Sequence, residues 1–458
     1  MSAEQENSVS QVDTTQVKIK FFTQETDETL KVNEQPLYVP VDLKRYGLSE
    51  IVNHLLTRFG SETVPFDFLI DGELLRVSLK DYLLQKGLSS EILLNLEYKR
   101  AVLPPSYLTS FNNDDWISSL HNVDDLIISG SYDGIVRTWN LSGQVRKQYA
   151  GHSAPIKCVK YINDTRIVSG SNDRTLRLWK TKREEHAGNG DDDDEDIEEG
   201  KTLAILEGHK APVVSVDVHQ ASNRMVSASY DNTIGLWSTN YKEMTTIDPL
   251  HADDSALNKG QSTQQQKRRK LALKDGSVRR RAPLSILESH TAPVEQIIFD
   301  DSDQSIAYSV SQDHTIKTWD LVTGRCFDTK TTSYSLLSVL QLPQLNLLAC
   351  GSSARHITLH DPRSTTKVTN EQLIGHKNFV SSLSACPTNQ YMFCSGSHDG
   401  TVKIWDTRST KPLYTITREL SQQDNKVFAT EWSSKIGGII SAGQDKQIQI
   451  NKTDSIVA

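Results

Sequence analysis

Two patterns of apolar and polar positions divide the chain. From residue 105 onward, short stretches alternate in character: IVRTW (135–139), TLRLW (175–179), TIGLW (233–237), TIKTW (315–319) and TVKIW (401–405). Period-two alternation of this length predicts strands that bury one face, and the small polar residues between them predict tight turns. Before residue 100 the pattern is mixed. VKIKFFT (17–23) predicts a strand, with LKVNEQPLYVP (30–40) as its antiparallel partner. LSEIVNHLLTRFG (48–60) opens on a Ser cap and sets Ile51, Leu55, Leu56 and Phe59 at helical spacing, so it predicts a helix. FDFLIDGELL turns at Asp71-Gly72, a hairpin signal. SLKDYLLQKG predicts a short helix. ILLNLEY (92–98) predicts a last strand, with Ile92, Leu94, Leu96 and Tyr98 on one side.

The second region is a repeat. SGSYDGIVRTW, SGSNDRTLRLW, SASYDNTIGLW, SVSQDHTIKTW, SGSHDGTVKIW and SAGQDKQIQIN share a turn acid: Asp133, Asp173, Asp231, Asp313, Asp399 and Asp445. A seventh segment, GSSARHITLH, has Ala354 in that place. Trp139, Trp179, Trp237, Trp319 and Trp405 each follow their acid by six residues. His152, His209, His290 and His376 precede theirs by 21, 22, 23 and 23 residues. These Gly-His and Trp-Asp signatures resemble WD repeats over about residues 105–458, which implies a β-propeller of seven blades. The last repeat lacks its fourth strand, and PSYLTSF (105–111) is expected to supply it and close the ring. His152, Ser169 and Asp173 could be taken for a nucleophilic triad. A triad occurs once per active site, however, whereas this set recurs. The resemblance instead implies structural networks of His152, Asp173 and Trp179; His209, Asp231 and Trp237; His290, Asp313 and Trp319; and His376, Asp399 and Trp405. The departing repeats, around Ala354 and Asn451, are expected to be less rigid.

Composition then narrows the class. The 458 residues exceed one ordinary domain, and no apolar run is long enough for a membrane span. Residues 1–16 are polar, read as a disordered lead, and have no apolar core of a secretory signal. Five cysteines without a CxxC pair argue for reduced thiols. The net charge of −8 gives no overall nucleic-acid signal, yet it averages two opposed insertions. One, at about 182–200, carries eight acids between Asp191 and Glu199 and reads as a solvated loop. The other, at about 240–283, holds Lys267, Arg268, Arg269 and Lys270, then Arg279, Arg280 and Arg281 after an eight-residue spacer. Two such clusters look like a bipartite nuclear import signal, with contact to an RNA backbone as the competing reading.

Residues 17–100 in the order ββαββ, with a short helix before the last strand, resemble ubiquitin. The expected class is therefore an α+β ubiquitin-like β-grasp domain, a linker at 101–104, and an all-β seven-bladed WD-repeat propeller. That combination, with KRYGLSEIVNHLL and AVLPPSYL in place, resembles the WD-repeat member of the PeBoW complex, which matures the large ribosomal subunit. Notchless shares the first module but carries eight blades. The resemblance implies a non-enzymatic nuclear and nucleolar factor of pre-rRNA processing. It implies a Bop-type WD-repeat partner and Pescadillo, the pre-60S particle with its pre-rRNA, and midasin, an AAA ATPase. Midasin grips ligands through a metal-ion-dependent adhesion site whose Mg²⁺ is held by midasin itself and accepts an acid from the partner. The family's metal-contacting acid maps to Glu91, in GLSSE (87–91). Taken alone, Glu91 reads as a plain surface acid, and Asp71 and Glu73 are rival ligands. A WD-repeat adaptor of the ubiquitin pathway is the alternative function.

Overall fold

The computed structural model describes residues 15–25, 27–56, 63–181, 198–247, 278–364, 372–418 and 425–453. Contacts divide the chain into two compact units that meet between Leu103 and Pro104. The first unit is a five-stranded sheet with two helices. Its elements are β1 (Gln16–Phe22), β2 (Leu37–Pro40), α1 (Arg45–Leu55), β3 (Phe66–Ile70), β4 (Glu73–Leu74), α2 (Leu79–Lys86) and β5 (Leu93–Arg100). The sheet order is β2-β1-β5-β3-β4, with β1 and β5 parallel and the other pairs antiparallel. Alternation puts Val17, Ile19 and Phe21 of β1, and Leu94, Leu96 and Tyr98 of β5, into one core with Leu48 and Val52 of α1. This is the β-grasp arrangement of the ubiquitin-like class.

Three local expectations need correction. The strand expected over 30–40 forms only at Leu37–Pro40, and Glu28–Leu30 is a 3-10 turn capped by Asp27. The Tyr98 hydroxyl explains part of this, because it donates to Leu30 O at 2.6 Å and accepts from Val32 N at 2.8 Å. The backbone there is satisfied without a ladder. Helix α1 starts at Arg45, ahead of the expected Ser cap. Ser49 is instead buried inside it and receives Phe66 N–H at 3.1 Å, tying helix to sheet. The buried face accordingly runs through Leu48 and Val52, and Leu55 is 38% exposed. Ala101, placed in the linker by sequence, is buried, and its N–H bonds Pro65 O at 2.9 Å.

The second unit is a ring of seven sheets, each built on four antiparallel strands, which follow chain order from the centre outward in blades 1 to 6. Blades 1 to 6 span residues 117–150, 156–207, 213–288, 294–331, 336–374 and 380–417. Blade 7 takes three strands from 427–452 and its outermost from β6 (Ser106–Asn112). β6 pairs antiparallel with Gln447–Lys452, from Gln447↔Asn112 to Lys452↔Ser106. Phe111 then enters the core beside Ile448, Ile450 and Trp139.

Two blades carry a fifth strand where the sequence predicts only loops. The acidic insertion returns through Glu198–Glu199, which pairs in parallel with the outer strand of blade 1. The basic insertion returns through Arg279–Arg281, parallel to the outer strand of blade 2. Each insertion leaves its own blade after the third strand and comes back along the edge of the preceding one. Residues 182–197 and 248–277, with Lys267, Arg268, Arg269 and Lys270, lie outside the described residues, as does nearly all of the 1–16 lead.

Candidate functional site

Glu91 sits where two capping devices meet. Ser78 caps α2, accepting Asp81 N–H at 3.1 Å. The helix ends at Gly87, whose φ of 65° is the left-handed conformation that glycine adopts without steric cost. Gly87 N–H bonds Leu84 O and Leu88 N–H bonds Leu83 O, closing the last turn. The chain then makes a short turn in which Ser89 Oγ accepts Glu91 N–H at 3.3 Å and Ser89 O accepts Ile92 N–H at 3.3 Å. β5 starts two residues after Glu91 and pairs with β1 from Leu93, opposite Lys18. Glu91 is exposed, and among the described residues its carboxylate makes no hydrogen bond or ion pair.

One of its two rivals is occupied. Lys86 holds both carboxylate oxygens of Glu73 at 2.8 Å, and that hydrogen bond raises the lysine's pKa. Asp71 has φ 51° and takes a left-handed turn position, for which its short side chain suits it. Among the described residues the carboxylates of Asp71 and Glu91 are both exposed and make no hydrogen bond or ion pair, whereas Glu73 is held by Lys86.

The histidines, acids and tryptophans assemble within blades. In blade 2, Trp179 Nε1–H donates to Ser169 Oγ at 2.7 Å, Ser169 lies 2.8 Å from His152 Nε2, and His152 Nδ1 lies 2.7 Å from Asp173. The same chain of contacts links Trp237, Ser227, His209 and Asp231; Trp319, Ser309, His290 and Asp313; and Trp405, Ser395, His376 and Asp399. Burial opposes charge on Asp173, but the bonds from His152 and Thr175 hold its carboxyl well below the usual range. Burial lowers His152. The pair is therefore a neutral imidazole donating Nδ1–H to a carboxylate. The distances are those of a triad, but Ser169 has no exposed surface and its oxygen is already engaged by tryptophan. No substrate reaches it.

The other blades solve the turn differently. In blade 1, Arg137 bridges Asp133 at 2.7 Å and Asp114 at 2.8 Å. In blade 7, Arg418 faces Asp445 at 2.8 Å, both almost fully buried. Sequence reasoning missed both, because neither arginine follows a Gly-His signature. In blade 5 Ala354 replaces the acid and His360 stands where tryptophan does elsewhere, hydrogen-bonded to Thr358 at 2.8 Å.

The ring encloses a channel cavity of about 400 Å³, lined from all seven innermost strands. Beside it, Trp116, Tyr132 and Phe428 form an aromatic group with centroids 5.4–6.4 Å apart, extended by His398 and Phe379. Trp116 is 37% and Phe379 44% exposed.

The second basic cluster is only partly available. Arg279 is exposed, Arg280 is half-buried and paired with Glu207 at 2.8 Å, and Arg281 is buried against Met244 O and Thr246 Oγ1. All five cysteines are free, and no helix of the described residues is long and apolar enough to cross a membrane.

Comparison with known proteins agrees with this division. The NLE (NUC135) domain model matches residues 17–83, ending before Glu91. The WD domain, G-beta repeat model matches 106–140, 143–180, 200–238, 281–320 and 367–406, which leaves out most of blades 5 and 7. Ribosome biogenesis protein YTM1 of Saccharomyces cerevisiae is 68% identical over 460 residues, covering 97% of this chain and 99% of that protein. The proteins of the same name from Vanderwaltozyma polyspora and Kluyveromyces lactis are 67% and 66% identical over the same shares. With an NLE domain, a seven-bladed WD propeller and this identity along nearly its whole length, the chain belongs to the YTM1 family of ribosome biogenesis proteins.

Proposed function

We propose that the protein is a non-enzymatic assembly factor of the large ribosomal subunit, acting in pre-rRNA processing and pre-60S maturation in the nucleolus and nucleoplasm. The propeller holds a Bop-type WD-repeat partner, and through it Pescadillo, on the particle. The ubiquitin-like unit presents Glu91 to the adhesion site of midasin, which removes the complex. The observation that supports this reading is the exposed carboxylate of Glu91, which makes no hydrogen bond or ion pair among the described residues and stands in the turn just before β5. The partner's Mg²⁺ supplies a Lewis-acidic position that only an unpaired oxygen can fill. On the propeller, the aromatic group around Trp116 is the best-supported contact for the Bop-type partner, since aromatics dominate the binding energy of interfaces. Nuclear import falls chiefly to Lys267, Arg268, Arg269 and Lys270, with Arg279, because Arg280 and Arg281 have structural partners.

The test is binding of the full chain to the isolated adhesion domain with Mg²⁺ present. Glu91→Ala should weaken binding by about 30-fold or more, the size of a hot-spot truncation. Glu91→Asp should weaken it less, and neither should change capture of the Bop-type partner. Undiminished, Mg²⁺-dependent binding by Glu91→Ala would overturn the reading. Co-purification with proteasome subunits in place of pre-60S particles would favour the ubiquitin-pathway adaptor.

A further inference from the structure

Blade 5 departs from the four complete networks at every member. Ala354 stands in place of the turn acid, His360 in place of tryptophan and Cys350 in place of the network serine. Thr332-Ser333 follows Thr331 at the end of blade 4's outer strand, as Gly208-His209 follows Glu207 at the end of blade 2's. These smaller side chains leave a cavity of about 190 Å³. Its floor is His356, Thr358 and His360, all buried, and its rim is Thr331, Ser333 and Tyr334, all exposed. Among the described residues no acid lines it.

Three observations give the cavity a sign. His356 Nδ1 lies 3.1 Å from the Ala354 carbonyl, which only accepts, so the ring's proton is on Nδ1. Its Nε2 has no hydrogen-bond partner among the described residues, although His356 is only 8% exposed. Lys330, also buried, holds the carbonyl oxygens of Asp361 and Ser364 and no carboxylate among the described residues. Its charge reaches the cavity, since burial and then Lys330 lower His360 to about 4. Finally, in blades 2, 3, 4 and 6 the turn acid accepts a loop N–H, from Ser153, Lys210, Thr291 or Lys377. In blade 5 the N–H groups of Ser333 and Tyr334 make no hydrogen bond among the described residues.

We infer that this cavity binds a carboxylate in trans, in the place where four other blades supply one from their own turn. The chemistry selects that occupant. A cation or an apolar group would leave the buried ammonium and the loop donors uncompensated, at a cost. A neutral amide would satisfy Nε2 but not Lys330. A carboxylate accepts from the loop N–H groups and the rim hydroxyls, while His356 Nε2 takes a proton from solvent and donates it. Around that ring stand Tyr334, in edge contact at 5.3 Å, and His360, with Lys330 and Asp361 beyond. Asp361 does not compete, because Arg363 holds its carboxylate. The side chain of an acidic peptide and a small free organic acid carry the same group, and the test separates them.

The experiment is calorimetric titration of the full chain with sodium propionate and with propionamide, at constant ionic strength, in two buffers of different ionisation heat. Propionate should bind saturably and take up a proton, read as a buffer-dependent heat. Propionamide should bind at least about 10-fold more weakly, the loss of one charge-assisted bond. Tighter binding of acetyl-Gly-Glu-Gly-amide than of propionate assigns the group to a partner's side chain, and weaker binding assigns it to a free acid. Ala354→Asp, which restores the acid in cis, should abolish propionate binding. His356→Gln should weaken it at least about 10-fold and remove the proton uptake, which a change in packing alone would not do. Unfolding midpoints show that both variants are folded. No saturable propionate binding, equal affinity for propionamide, tighter binding of inorganic phosphate, or wild-type propionate affinity in Ala354→Asp would each overturn the site.

Discussion

Removing the Ser169 hydroxyl strips two partners at once, Trp179 Nε1 and His152 Nε2, both fully enclosed. Ser169→Ala should cost about 2–4 kcal/mol, since buried donors and acceptors left unpaired cost more than a bond's net worth. Ser129→Ala in blade 1 should cost less, because Ser129 serves Trp139 without a histidine. Denaturant midpoints check the ordering. Burial lowers His152, His290 and His121, so the folded chain binds fewer protons than the unfolded chain below the free histidine value of about 6.5. Stability therefore falls as pH drops through that value. Asp173, Asp231 and Asp399 are depressed, and their contribution is lost in turn below about pH 4, the unfolded carboxylate value. Glu431 acts oppositely: burial pushes it up to about 7, so its contribution is complete below the unfolded value and is lost as pH rises through 7. Midpoints measured from pH 4 to 9 should show the histidine loss toward acid, and Glu431→Gln should gain on the wild type as pH rises to about 7 and keep that gain above it. Sequence revealed the four-residue networks because they recur at fixed spacing. It concealed Arg137 and Arg418, whose pairings each occur once and depend on where the ring brings them.

At the level of elements, alternation located nearly every strand that buries one face. It failed where backbone pairing is the only reason for a strand. Arg279–Arg281 has no apolar period, and its strand exists because the outer edge of blade 2 offers a free ladder and Arg281 finds acceptors at Met244 and Thr246. The first turn of α1 was missed for the opposite reason: Lys44 gives no side-chain cap, and Ser49, which looks like one, serves β3. Glu91's turn was legible from Gly87 and the two serines, whereas its lack of a partner required coordinates. Arg281→Ala should lower the propeller's stability by about 1–3 kcal/mol, the cost of orphaning a buried carbonyl, without the loss that a pure import residue would predict for folding-neutral change. Phe111→Ala should cost about 3–5 kcal/mol, as expected for a buried aromatic, read as a fall in the propeller's unfolding midpoint.

As a whole, the molecule keeps the core of residues 17–100 separate from those within and between blades. Calorimetry should resolve two transitions; Phe111→Ala should move only the propeller's, and Glu91→Ala neither. Between the units the chain is short. Ala101 is still hydrogen-bonded in the first, and β6 begins at Ser106, paired with Lys452 at the chain's other end. The strand that closes the ring is thus the first part of the propeller after the join. No covalent link secures it to the last blade; hydrogen bonds and the Phe111 side chain do. Force entering through the first unit would fall on a closure held by strand pairing and one buried side chain.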